Sequence, residues 1–181
     1  MKSRRSDHGS KAFHVPAPIS RERLRPFARR QSVRRICLDL LDTNVLSEPL
    51  RPRPDPVVID WLDAHFSNCA ISSIVVFELR AGLVALPKGK RRAALEAAIE
   101  RAIRRFAGRV YPFDTAAAEA AAGLYAKARA AGRGTHQLPA KLADLQTAGI
   151  ALANGLSLAT RNTGDFAGFG IDVMDPWAAT G

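Results

Sequence analysis

The stretch Ile36-Cys-Leu-Asp-Leu-Leu-Asp-Thr-Asn-Val-Leu-Ser-Glu48 constrains the fold of this chain more than any other. A short apolar run ends abruptly at Asp42, Thr43 and Asn44 follow, and the pattern then opens as a helix. An apolar run of about four to eight residues closed by a polar cap predicts a buried strand feeding a helix. In an open α/β sheet, ligands bind outside the carboxyl ends of such strands. Asp42 is therefore expected at the mouth of a crevice. Whether other carboxylates reach the same place decides what that crevice can bind.

Strand-like and helix-like segments alternate along the rest of the chain. Four prolines between Pro49 and Pro56 make a rigid loop, and Asp55-Pro56 opens a helix with Pro at its first position. Cys69-Ala-Ile71 predicts a second strand, with Ser72 or Ser73 capping a helix from Ile74 to about Leu86. Residues 88 to 106 read as an amphipathic helix with Leu95, Ile99, Ala102, Ile103 and Phe106 on one stripe and Arg91, Arg92, Arg101, Arg104 and Arg105 on the other face. Residues 110–113 predict a third strand, and Asp114 or Thr115 caps an Ala-rich helix to Ala131. Leu138 to Asn154 is the next helix, closed by Asn154-Gly155. Residues 156–159 and 171–173 predict a fourth and a fifth strand. Strands alternating with helices argue for parallel pairing, and so for a three-layer α/β/α domain with a central, mainly parallel sheet of about five strands.

The formal charge of +10 is unevenly spread. Residues 1–35 hold eleven of the 27 Lys and Arg but only two of the 17 acids, so the remainder is close to neutral. Low hydrophobicity with high net charge predicts a disordered N-terminal extension over 1–35 and a folded domain over 36–181. Three roles stay open for the extension: a basic arm for nucleic acid, a targeting peptide, or none. No run approaches the roughly eighteen apolar residues of a membrane span, and the leader lacks the apolar core of a secretory signal, so a cytoplasmic location is expected. Cys37 and Cys69 are the only cysteines. Both sit in strand-like surroundings and are expected to be buried and inert.

Three further acids have placements like that of Asp42. Glu78 shares a helix face with Ile74, Val75, Ala81 and Gly82, an inward face where a charge is costly unless compensated. The plain alternative is an ion pair with Arg80 or an Arg of another helix. Asp144 shares its face with Ala140, Lys141, Ala148 and Ala151, a mostly small-residue stripe that lets another element come close; otherwise it is an early-turn acid favoured by the helix dipole. Asp165 lies in Thr160-Arg-Asn-Thr-Gly-Asp165, directly after the fourth strand, where the same residue types also make ordinary turns. Asp42 itself would serve as an N-cap. Carboxylates within about 5 Å repel by roughly 3 kcal/mol per pair at an effective dielectric near 20. Acids so gathered need a cation or shifted pKa values. An all-oxygen set suits Mg²⁺ or Mn²⁺. The four histidines are scattered without zinc-ligand spacing, and neither a phosphate-binding loop nor a dinucleotide fingerprint occurs.

With these residues assembled, the chain resembles PIN-domain ribonucleases, in particular the VapC toxins of type II toxin–antitoxin modules and their FitB-like branch. The matching stretches are Leu41-Asp-Thr-Asn-Val-Leu-Ser-Glu48, Ser72-Ser-x4-Glu78-Leu-x-x-Gly82, Leu138-Pro-Ala-x3-Asp144-Leu-Gln-x-Ala148, Leu158-Ala-Thr-Arg-Asn-Thr-Gly-Asp-Phe166 and Asp175-Pro-Trp177, in the family's order. The resemblance implies that Asp42, Glu78 and Asp144 are metal ligands for Mg²⁺ or Mn²⁺. A fourth ligand would lie in the Asn162–Asp165 turn, with Asp165 favoured and Asn162 acting through a metal-bound water. The implied reaction is hydrolysis of RNA phosphodiester bonds. Arg80 and Arg161, with Lys141 and Arg133 behind them, are candidates to draw the RNA in; pairing with the same carboxylates is their alternative. The resemblance also implies a homodimer held inactive by a small antitoxin, whose groove is expected along the Pro-rich loop and the helix from Val57 to Phe66. The basic leader departs from the family pattern, and so does Asp39, expected to be an edge or solvent-facing residue. Two rivals remain: a catalytically silent PIN-like module that binds RNA or protein, and a phosphoryl-acceptor domain of receiver type. The second leaves Glu78 unexplained.

Overall fold

The computed structural model describes residues 38–130, 132 and 138–179, with 138–141 described by their helical backbone. Cys37, Arg133, the basic leader and its expected boundary with the folded domain lie outside the described residues, as does the side chain of Lys141. Strand β1 (Asp39–Leu41) is followed by a short helix α1 (Thr43–Ser47), a 3-10 turn (Glu48–Leu50) and helix α2 (Pro56–His65). Then come β2 (Cys69–Ser72), α3 (Ser73–Val84), α4 (Lys90–Arg104), β3 (Val110–Tyr111), α5 (Thr115–Ala130) and α6 (Leu138–Asn154). The chain ends through β4 (Ser157–Ala159), a 3-10 turn (Thr163–Phe166) and β5 (Val173–Met174).

The five strands form one sheet in the order β3-β2-β1-β4-β5, and every pairing is parallel. Leu40 is flanked by Ala70 and Leu158, and Leu41 by Ile71 and Ala159. Successive residues of a strand face opposite sides, and the core divides accordingly. Leu41, Cys69, Ile71 and Ala159 pack against Val45, Val58, Trp61, Leu62, Val75, Leu79 and Ile99 of α1 to α4. Leu40, Ala70 and Leu158 pack on the other side against α5 and α6, through Ala117, Leu124, Leu145, Ala148 and Ile150. Leu40, Leu41, Ile71 and Leu158 are fully buried, and each such side chain stabilises the fold by about 1.5–3 kcal/mol.

The predicted stops and starts are realised by specific bonds. Ser72, not Ser73, caps α3 through its Oγ, which accepts from Val75 N at 3.1 Å. Asp114, not Thr115, caps α5 by accepting from Ala117 N at 2.9 Å. Gly155 takes φ 63° just past α6, and the Leu156 N–H reaches back to Ala151 O at 2.9 Å. Strands β3 and β4 are shorter than the expected 110–113 and 156–159, β2 extends one residue further to Ser72, and β5 lies at Val173–Met174 rather than 171–173.

One expectation is corrected. Asp39 is not on an edge: β1 is the central strand, and the half-buried carboxylate accepts a 2.6 Å bond from Ser157 Oγ of β4. On α2, Val58, Trp61 and Leu62 are buried in the core, and Val57 alone among its large apolar residues is exposed. Large exposed apolar side chains also lie on α3, at Phe77 and Val84, on α6, at Leu142 and Leu152, and on β3, at Val110. Among the described residues, no helix is long and apolar enough to cross a membrane.

Candidate active site

The sheet order places β1 between β2, which follows it in sequence, and β4, which returns to its other side. That reversal is the topological switch point at which open α/β sheets form their crevice. Asp42 and Thr160 are the first residues beyond the carboxyl ends of these two strands. The Asp42 N–H still donates to Ala159 O at 2.9 Å, so the ladder fixes the direction in which the side chain leaves.

The Asp42 carboxylate is clamped by three donors: Thr43 N at 2.7 Å, Asn44 Nδ2 at 2.7 Å and Thr160 Oγ1 at 2.6 Å. Thr160 is fully buried, and its hydroxyl in turn accepts from Asn44 Nδ2 and from Asn162 N, both at 3.1 Å. One donor and two accepted bonds complete what a hydroxyl can make. Asn44 Oδ1 accepts from Arg161 N at 3.3 Å, tying the turn after β4 to the start of α1. Asp42 is thus both the cap of α1 and a carboxylate fixed at the crevice; the two readings of it are compatible.

Glu78, half-buried on α3, receives a short hydrogen bond from the Thr43 hydroxyl. Its neighbours Ala81 and Gly82 are exposed, so the side chain lies at the border of the core rather than inside it. The alternative of an ion pair with Arg80 is not what forms, because Arg80 turns to Glu100 of α4 at 2.8 Å. Asp144 is half-buried on α6. Ten residues separate it from the end of the helix, a rise of about 15 Å, against roughly 10 Å for a three-residue strand. A crossover helix running back along the sheet therefore carries Asp144 at least to the level of the strands' carboxyl ends. There α6 packs against α3 and the 163–166 turn, and Leu145 shares a core with the buried Phe166. Asp165, half-buried in that turn, donates its N–H to Asn162 O at 3.0 Å, while the Asn162 side chain is exposed.

The structure therefore joins Asp42 and Glu78 through Thr43, and places Asp144 on α6 and Asp165 in the 163–166 turn, two elements that pack against each other. Among the described residues, no three Asp, Glu, His or Cys side chains are grouped closely enough to hold a metal. The donor set offered is all oxygen, the type that suits Mg²⁺ or Mn²⁺. In donor chemistry, and in the placement of the first two acids, the residues fit such an ion. Arg161 is exposed and lies over the Trp177 ring at 5.2 Å. Cys69 is buried, and burial, with the nearby Asp39 charge, pushes its thiol up to about 12 against the opposing pull of Arg109; it is an inert core thiol.

Sequence reasoning about acids passed over the polar side chains that hold them. Thr43, Asn44 and Thr160 carry no charge and resemble turn formers. The usable signal is position: each lies within three residues of the end of a strand at the crevice.

Comparison with known proteins agrees with this fold. Residues 40–170 match the PIN domain model. The chain is 46% identical over 142 residues to the plasmid stability protein StbB of Pseudomonas syringae, covering 77% of this chain and 99% of that protein. It is 40% identical over 140 residues to the VapC ribonuclease Y4jK of Sinorhizobium fredii, covering 76% and 96%. It is also 41% identical over 140 residues to toxin FitB of Neisseria gonorrhoeae, covering 76% and 97%. The crystal structure of FitAcB from that organism superposes with a TM-score of 0.71 at 38% identity, covering 78% of this chain and all of the other.

Proposed function

This chain belongs to the PIN-domain family, and on that premise we propose that it is a Mg²⁺- or Mn²⁺-dependent endoribonuclease, the toxin of a type II toxin–antitoxin pair. The observation that carries the reading is the pair Asp42 and Glu78, joined by Thr43 at the switch point between β1 and β4. The names of two relatives, a ribonuclease and a toxin, support the activity and the biological class. Asp42, Glu78, Asp144 and Asp165 would hold the ion, with Asn162 acting through a water. When bound, the ion makes hydroxide available near neutral pH and offsets charge on the phosphoryl oxygens.

The chain's own groups set the stage for that chemistry. The three donors on Asp42 hold its carboxylate in one orientation, and the Thr43 hydroxyl keeps Glu78 beside it. A cluster of acids repels a polyanion, so cations at the rim must draw RNA in. Arg161, exposed beside the crevice, is the leading candidate, with Arg80, Lys141 and Arg133 in support. The protein would act in the cytoplasm as a homodimer, restrained by a small antitoxin.

The decisive experiment incubates the full chain with structured RNA in Mg²⁺ or Mn²⁺, with EDTA as control, beside Asp144→Asn. Cleavage should require the metal and fall at least about a hundredfold in the variant, whose melting temperature should stay within a few degrees of the parent. Full activity in Asp144→Asn would overturn the ligand set. Metal-dependent RNA binding without cleavage would make the chain a silent binding module.

A further inference from the structure

We infer that Thr43 is a positioning residue that sets Glu78 against Asp42, so that the two carboxylates are ordered for a divalent ion before it arrives. The inference rests on the proposed metal-dependent activity and deepens it. A Glu at the edge of a helix's buried face has several rotamers open to it, and on its C-terminal side little packs against Glu78 to choose among them. Ala81 and Gly82 on the following turn are exposed, and a Cβ built on Gly82 would meet nothing within 4 Å. The nearby cation that would otherwise orient it, Arg80, is held by Glu100. Among the described residues, the one hydrogen bond to the Glu78 carboxylate comes from the Thr43 hydroxyl.

Thr43 can do this because of where it sits. Its main-chain N–H is committed to Asp42 Oδ1 at 2.7 Å, which fixes the backbone of the residue whose hydroxyl then reaches Glu78. A single residue thus touches both acids, through main chain to one and side chain to the other. The ladder bond from Asp42 N to Ala159 O anchors the whole unit to the sheet. Hydrogen-bonding partners of metal ligands commonly contribute about 10–100-fold to metal affinity, by orienting the ligand. The β-branched side chain of Thr adds stiffness that serine lacks.

The test measures Mn²⁺ affinity of the full chain without RNA, from the free-ion signal in electron paramagnetic resonance, for the parent, Thr43→Val and Thr43→Ser. Valine keeps shape and branching but cannot donate; serine keeps the donor. Thr43→Val should bind Mn²⁺ about tenfold more weakly, and Thr43→Ser should lie within about threefold of the parent. Metal-free melting temperatures report the fold separately; if Thr43→Val does not fold, Thr43→Ala takes its place. Equal affinity of the valine variant and the parent overturns the inference and leaves the nuclease reading intact. Equal weakening by serine and valine overturns the role of the hydroxyl. A parent that neither binds Mn²⁺ nor cleaves RNA brings down the nuclease reading, and the inference with it.

Discussion

Glu48 shows how a residue in a recognisable motif can belong to the scaffold rather than to the chemistry. It is only 2% exposed, yet it is not among the acids at the crevice. Its Oε1 accepts from Asp55 N at 2.9 Å, and its Oε2 pairs with Arg51 at 3.2 Å. The first bond staples the far end of the proline-rich loop to the end of α1; the second reaches a side chain 58% exposed, where water screens it. Glu48→Gln keeps an acceptor for the buried N–H and should cost less than about 1 kcal/mol. Glu48→Ala removes it and should cost about 2–3 kcal/mol, with the loop loosened. Urea unfolding of both variants checks this, and equal losses would mean that the charge pair, not the amide acceptor, carries the effect. Nothing in the sequence separates Glu48 from Glu78, since both follow apolar helical residues. What distinguishes them is tertiary: one finds a main-chain donor seven residues on, the other a hydroxyl thirty-five residues back. The four candidate acids stand out in the sequence because strand ends and small-residue faces mark where carboxylates can converge. The hydrogen-bond partners do not, because a Thr after a strand is also an ordinary cap.

At the level of elements, the alternating pattern carries the order and type of nearly every segment, while the bounds differ by a few residues. Helix α1 closes after five residues, because Pro49 follows and the chain tightens into a 3-10 turn. The contact between α5 and α6 was foreshadowed by small residues but not by how near the helices come. A Cβ placed on Gly149 would lie 2.5 Å from Ala117 O and 2.8 Å from Ala121 Cβ, with backbone rather than a flexible side chain in the way. Gly149→Ala gains helix propensity, worth up to about 1 kcal/mol, but the overlap forces α5 and α6 apart. Overpacking of this kind costs about 1–3 kcal/mol, so the variant should be less stable than the parent. Its melting temperature should fall, and cleavage should fall with it if the shift carries Asp144 from its place. A raised melting temperature would show that the helices yield without loss.

At the scale of the molecule, exposed apolar side chains line one face of α3, an element that the sequence did not single out for a partner. Phe77 is 68% exposed and Val84 72%, and Ala81 and Ala85 are exposed between and beside them. These positions fall at i, i+4, i+7 and i+8, so they form one stripe along α3 rather than scattered singles. Helix periodicity alone could not reveal this, since the opposite face of α3, with Val75, Leu79 and Leu83, is equally apolar and is the one buried. A stripe of that kind beside a crevice suits the apolar face of an amphipathic segment, and the occupant we expect is the antitoxin. Val84→Asp sits well away from Glu78 along the helix and places a charge on the stripe without touching the core. It should weaken antitoxin binding by at least about tenfold, as burying an unpaired carboxylate costs well over 1.4 kcal/mol, while the melting temperature of the free toxin stays within about 2 °C. Titration calorimetry with the purified antitoxin, beside sedimentation of the toxin alone, separates the two partners that could cover α3. Unchanged antitoxin affinity, with a parent that self-associates and a variant that does not, would assign the stripe to self-association. Unchanged affinity and unchanged sedimentation would leave α3 facing water and send the antitoxin to another face of the domain.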